Sequence, residues 1–167
     1  MRFTPAGLAL SLALALTASV SFSAPPQPLD PRVETLLGEG RTALAGNDVD
    51  GAIAAFEAAL AVQPGSPQIL LDLAGAERRN GMQGKALHYY RKAQDLDPRN
   101  LAAIAGEGEA LAEKGAVEKA RRSLARLEMI CGPRCPQGAA LAAKLDRAPG
   151  ERVVAADAVK PDPVVSN

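Results

Sequence analysis

The chain has 167 residues, with 19 basic and 19 acidic side chains, 47% apolar content, 3% aromatics and no Trp. The length suits one domain, and the balanced charge gives no electrostatic case for nucleic acid or an anionic membrane surface. Ala and Leu dominate the apolar residues while strand-forming runs are scarce, which predicts an all-α chain.

The first segment has the order of a secretory signal peptide: a positive Arg2, an apolar run from Gly7 to Val20, then small residues from Ser19 to Ala24 around Phe22. The run is shorter than the ~20 residues of a spanning helix. An uncleaved anchor is the alternative. Pro25 disfavours a cut after Ala24, so the signal peptide is placed at 1–23, ending on Ser23. No Cys lies near that site, so a lipoprotein is not expected. Removing the segment takes away one base and no acid, and the chain stays near neutral. This predicts an exported, periplasmic protein with no membrane contact beyond transit. Cys131 and Cys135 then face an oxidising compartment.

Pro25, Pro26, Pro28 and Pro31 punctuate an extended leader over 24–31. Asp30-Pro31 then reads as a helix start, with Asp as N-cap and Pro in the first turn. From here the chain repeats every 34 residues. Ala52, Phe56, Ala59 and Pro64 return as Ala86, Tyr90, Ala93 and Pro98, and again as Ala120, Leu124, Leu127 and Gly132. Gly40, Ala74 and Gly108 form a small column, Leu36, Leu70 and Ile104 an aliphatic one, and Asn47, Gly81 and Gly115 a turn-forming one. Predicted helices run over 32–45, 49–62, 67–80, 83–95, 101–114 and 117–130. Asp30, Ser66 and Asn100 are candidate caps for the first helix of each unit, and Asp48 for the second helix of unit one. Asn80-Gly81 fits a helix stop.

This pattern resembles the tetratricopeptide repeat family, a 34-residue helix-turn-helix unit with small and aromatic residues at fixed offsets and a closing Pro. The second-helix signature is the stronger, as in Gly51 to Leu60 and Lys85 to Ala93. In the first helices the family Trp is replaced by Leu36, Leu70 and Ile104, and the family Tyr by Ala43, Glu77 and Leu111. The resemblance implies three stacked repeats over 32–132 (33–66, 67–100 and 101–132) in a short right-handed α-solenoid. A polar-faced end cap is required. The stretch 133–147 supplies it, with Leu141 and Leu145 on one helical face. From Ala148 to the end no helical period survives, which reads as a flexible tail over 148–167.

Cys131-Gly132-Pro133-Arg134-Cys135 lies between the third unit and the cap. The spacing and export favour a disulfide, worth roughly 2 kcal/mol in the chain-entropy model. Free thiols and a metal or redox role are the alternatives. The three-residue gap differs from that of thiol oxidoreductases, and no Cys-His follows as in a haem site. The lone His88 has no nucleophile and orienting group around it. Gly106-Glu107-Gly108 lacks the third Gly of a dinucleotide fingerprint and falls within a helix. Glu107, Glu109 and Glu113 read as a solvated helix face. No catalytic residue, cofactor, metal or nucleic-acid partner is expected.

The resemblance further implies a concave groove lined by the first helices. Its expected lining is Leu37, Arg41 and Leu44 in unit one, Gln68, Leu71, Asp72, Arg78 and Arg79 in unit two, and Glu109 and Glu113 in unit three. Glu34, Gly75, Ala102, Ala105 and Ala112 complete it. Such a surface would be basic through units one and two and acidic at unit three, suited to a mixed-charge peptide with Leu37 and Leu71 as apolar contacts. The ring of Lys and Asn with which some members grip a peptide C-terminus is absent at these positions. The expected function is an exported protein-interaction scaffold. The alternative is an accessory or self-stacking subunit of an envelope complex without a groove role.

Overall fold

The computed structural model describes residues 28–147. The expected signal segment, the leader as far as residue 27 and the tail from 148 onward lie outside the described residues. Seven helices follow in order: α1 (Pro31–Ala45), α2 (Val49–Val62), α3 (Pro67–Arg79), α4 (Gln83–Leu96), α5 (Leu101–Glu113), α6 (Val117–Cys131) and α7 (Pro136–Leu145). No strand occurs among the described residues.

Local chemistry sets the helix ends. Asp30 accepts the Arg32 N–H at 2.8 Å, Asp48 the Gly51 N–H at 2.9 Å and Asn100 the Ala103 N–H at 3.0 Å. Each bond satisfies a donor that the first helical turn leaves free. Ser66 departs from expectation: it holds the cap position but makes no side-chain cap bond. Its extended backbone follows from the proline behind it, Pro67.

The turn column is the most regular part of the repeat. Asn47, Gly81 and Gly115 all adopt positive φ, at 61°, 74° and 82°. In each unit the next N–H then turns back into the preceding helix. Asp48 N–H reaches the Ala43 carbonyl at 2.9 Å, Met82 that of Glu77 at 2.9 Å and Ala116 that of Leu111 at 2.8 Å. This six-residue closure is the Schellman cap, which needs a left-handed residue at its centre. Gly and Asn meet that need at least steric cost.

Helices pair as α1 with α2, α3 with α4 and α5 with α6, and each second helix packs on the next first helix. Ala52, Ala86 and Ala120 are fully buried where paired helices approach. α7 packs on both α5 and α6, in the place of a further first helix. It buries Leu141 completely. The Cys131–Cys135 disulfide closes the turn that leads into it, with the two Cα atoms 5.5 Å apart.

Three large side chains seat on three glycines. The Phe56 ring covers Gly40 and the Tyr90 ring covers Gly106. Cβ atoms added there would come within 2.3 and 2.2 Å of ring carbons. Leu141 covers Gly108, where the distance would be 2.5 Å. Leu124 had the sequence position for the last of these seats. Instead it is partly buried beside Leu127, and α7 supplies the occupant.

The Tyr90 ring is wedged in a core that includes Ala74, Ala86 and Leu111, so it cannot retreat cheaply. Gly106→Ala is therefore expected to destabilise by about 1–2 kcal/mol, overpacking outweighing the gain in helix propensity. Gly38→Ala, with nothing within 4 Å of the new atom, is expected to stabilise by about 0.5–1 kcal/mol. Urea unfolding of the two variants beside the parent checks both signs.

Candidate partner groove

Three parallel first helices and α7 form one face of the stack. On α3, Gln68, Leu71, Asp72, Gly75, Arg78 and Arg79 recur at the three- and four-residue steps of one helical stripe. At one end of this stripe Asp72 receives the Arg41 guanidinium of α1 at 2.6 Å. At the other, Arg78 reaches across to α5 and contacts Glu109 and Glu113, each at 2.7 Å. Lys144 of α7 approaches the same two carboxylates and extends the network to the cap. Gln83 also donates to Glu113.

The pairing follows the repeat. Arg41–Asp72, Arg78–Glu109 and Glu113–Lys144 each join residues 31 apart, while Arg78–Glu113 and Glu109–Lys144 join residues 35 apart. Neighbouring first helices lie parallel, offset by one 34-residue unit. A residue therefore faces positions three before and one after its own equivalent, which are one helical turn from each other.

Arg78 is, with Glu109, the most enclosed member. Burial works against its charge, but Glu109, Tyr90 and Glu113 outweigh it and raise its pKa. Tyr90 passes between the helices to meet it from within. Its hydroxyl lies 3.9 Å from the Cβ position of Gly75, at ordinary van der Waals contact. Burial pushes the Tyr90 phenol up, and the nearby Arg78 only partly offsets that.

The structure revises three expectations for this face. Leu37 is not a groove contact: it is 1% exposed and lies in the first core with Val33, Phe56, Ile69 and Leu73. Val33, Leu37 and Gly40 share one buried stripe of α1, so burial decides its direction. Ala105 and Ala112 are buried as well. Leu44 is half-buried on the edge of that first core, and Leu71 is half-buried between two of the others. The expected basic-to-acidic gradient is replaced by ion pairs that neutralise one another from helix to helix. Finally, the three acids of α5 are not one solvated face. Glu109 and Glu113 enter the groove network, whereas Glu107 pairs with Arg91 of α4 at 2.7 Å on the other side.

Lys144 was missed because its sequence place marked only an end cap. Its signal is the 31-residue step from Glu113. Arg79, Gln68, Glu34 and Ala102 are exposed on their helices. His88 is exposed on α4 with its ring against Tyr89, 5.2 Å between centroids.

Glu77, at the position where the family places Tyr, is fully buried. One carboxylate oxygen takes the Lys85 ammonium at 3.0 Å, and the other has no hydrogen-bond partner in the structure. The Glu77 hydrogen bond raises the Lys85 pKa.

The helical-repeat solenoid is the class of protein this fold defines. Residues 37–100 match the tetratricopeptide repeat family. It is similar to the CTR9 homolog of Arabidopsis thaliana, 38% identical over 74 residues, which are 44% of this chain and 7% of that protein. The chain thus spans a small fraction of that relative's length. The Sgt2 TPR domain of Aspergillus fumigatus superposes with a TM-score of 0.66 at 22% identity, covering 86% of this chain and 95% of that one. The first TPR of Spaghetti (RPAP3), bound to the HSP90 peptide SRMEEVD, gives 0.64 at 19% identity, covering 72% and 95%. At these identities the structural likeness speaks for the fold alone.

The groove network makes stability pH-dependent. Burial raises the Glu113 pKa, but the Lys144 hydrogen bond, the charges of Arg78 and Lys144 and the Gln83 contact outweigh it and leave it lowered. A carboxylate whose folded pKa is depressed adds stability above its unfolded pKa, about 4.3, and loses it as pH falls through the lower folded value. Glu113→Gln is therefore expected to reduce stability at neutral pH and to lose less on acidification than the parent does. Thermal unfolding midpoints at neutral pH and below about pH 4 check this.

Proposed function

We propose that the chain is an exported, non-enzymatic scaffold that holds a segment of another protein against the face made by α1, α3, α5 and α7. The observation that carries this reading is the groove stripe of α3, where half-buried Leu71 adjoins the Arg41–Asp72 ion pair and the small Gly75 lies between that pair and the Arg78 cluster. An extended peptide laid there meets an apolar contact and an open backbone between charges of both signs. Arg41 remains 50% exposed within its ion pair, so a partner carboxylate can compete with Asp72 for it. The fold is shared with a TPR domain solved with a bound peptide, which supports this mode of use.

Arg41→Glu combined with Arg79→Glu places two reversals on exposed groove positions and leaves the core alone. Recovery of crosslinked partner from an envelope extract is expected to fall about tenfold, equivalent to roughly 1.4 kcal/mol. Unchanged recovery would remove the groove reading. A salt-resistant oligomer at high dilution, indifferent to these substitutions, would favour the accessory-subunit alternative. Export is checked separately: N-terminal sequencing of the mature protein is expected to begin at Ala24, and a chain that retains Met1 would overturn it.

A further inference from the structure

The opposite face carries a different electrostatic pattern. Between α4 and α6, across the back of α5, lies a cleft of about 260 Å³ lined by Arg91, Glu107, Lys119, Arg122, Ser123 and Arg126. Four cations line it against one carboxylate, whereas the groove charges balance in pairs.

That one carboxylate is already committed. Glu107 Oε1 accepts from Arg91 Nε at 2.7 Å, and Oε2 accepts from Gln94 Nε2 at 2.9 Å. Gln94 is buried, and its own Oε1 accepts from Arg126 at 2.6 Å. The second amino group of Arg126 donates to the Pro98 carbonyl. Glu107 and Gln94 therefore hold two guanidiniums in place across the cleft, and the cost of ordering these side chains is met within the folded chain. Lys119 and Arg122, both exposed on α6, enter no ion pair among the described residues. The result is a lining of net positive charge, two of its guanidiniums held in place and two of its cations unpaired, which attracts an anion.

We infer that this cleft docks an acidic segment of a partner protein, seating an Asp or Glu carboxylate among Lys119, Arg122, Arg91 and Arg126. The volume suits a side chain. An adjoining space of about 560 Å³, which shares Arg91, Glu107 and Arg126 and continues past Gln94, Asp95 and Pro98, gives the flanking chain a path, with Asp95 favouring an uncharged residue there. No aromatic ring lines either space, so nucleic-acid bases find no stacking platform. This docking face is separate from the groove and does not rest on the groove reading.

The test uses a fluorescein-labelled peptide of about ten alternating Glu and Gly residues, its Gln-Gly counterpart, and fluorescence anisotropy at low and physiological salt. The Glu peptide is expected to bind more weakly as salt rises. Lys119→Glu combined with Arg122→Glu is expected to weaken it about tenfold or more, with an unchanged thermal midpoint because both positions are exposed. The groove variant Arg41→Glu with Arg79→Glu is expected to bind as the parent does. The proposal is overturned if the Glu peptide fails to bind, if the Gln-Gly peptide binds equally, or if the α6 reversals leave affinity unchanged. It is also overturned if the groove variant is the one that loses affinity. Binding to phosphatidylglycerol vesicles without binding to the peptide would identify a membrane surface instead and would equally overturn it.

Discussion

The seating of Tyr90 on Gly106 joins the core of this protein to its surface. The ring comes from α4 and fills the space over α5, so it ties the second unit to the third. Its hydroxyl then emerges beside Gly75 and Arg78. Arg78 in turn holds Glu109 and Glu113, and those carboxylates hold Lys144 of the terminal helix. Packing, groove charge and the attachment of α7 are thus consecutive links of one chain of contacts. Because Gly106 has no side chain, the ring can approach the α5 backbone closely enough to reach that far. The first unit seats Phe56 on Gly40 in a similar way, but within a single unit and without a hydroxyl to carry the connection onward.

Much of this was legible in the sequence because turns and close approaches admit few residue types. The left-handed turn column, the buried Ala column and the ring-bearing column each answer a steric demand, so each shows in the 34-residue register. The groove was less legible. Leu37 was expected in the groove, yet it shares a buried stripe with Val33 and Gly40, and its equivalents Leu71 and Ala105 are half-buried and buried in the same register. The ion pairs were hidden for another reason. They join residues 31 and 35 apart, one repeat displaced by part of a turn, whereas alignment by equivalent positions compares residues 34 apart.

Glu77 shows how a departure from the family pattern is absorbed. A buried carboxylate is costly unless paired, and Lys85 reaches it from the start of the next helix. The lysine keeps half of its side chain in water and still brings its ammonium to 3.0 Å. Only one oxygen is satisfied, so an apolar residue such as Leu111, at the same position of the third unit, meets less opposition there. The carboxylate's compensation is positional. It ties α3 to α4 at a point where Ala43 and Leu111 can offer only contact.

Net charge concealed the most informative electrostatic feature. Equal numbers of acids and bases describe the chain as neutral, but the repeat distributes them unequally between its two faces. Acids of α5 that would neutralise the cations of α6 are turned away to Arg78 and Lys144, and the one that remains on that side is divided between Arg91 and Gln94. α5 thus serves the two faces separately: a change that frees Glu109 or Glu113 alters the groove, whereas a change at Glu107 releases Arg91 and alters the cleft. A solenoid only a few units long can in this way present two surfaces of distinct character, with the sorting done by which side of a single helix each acid occupies.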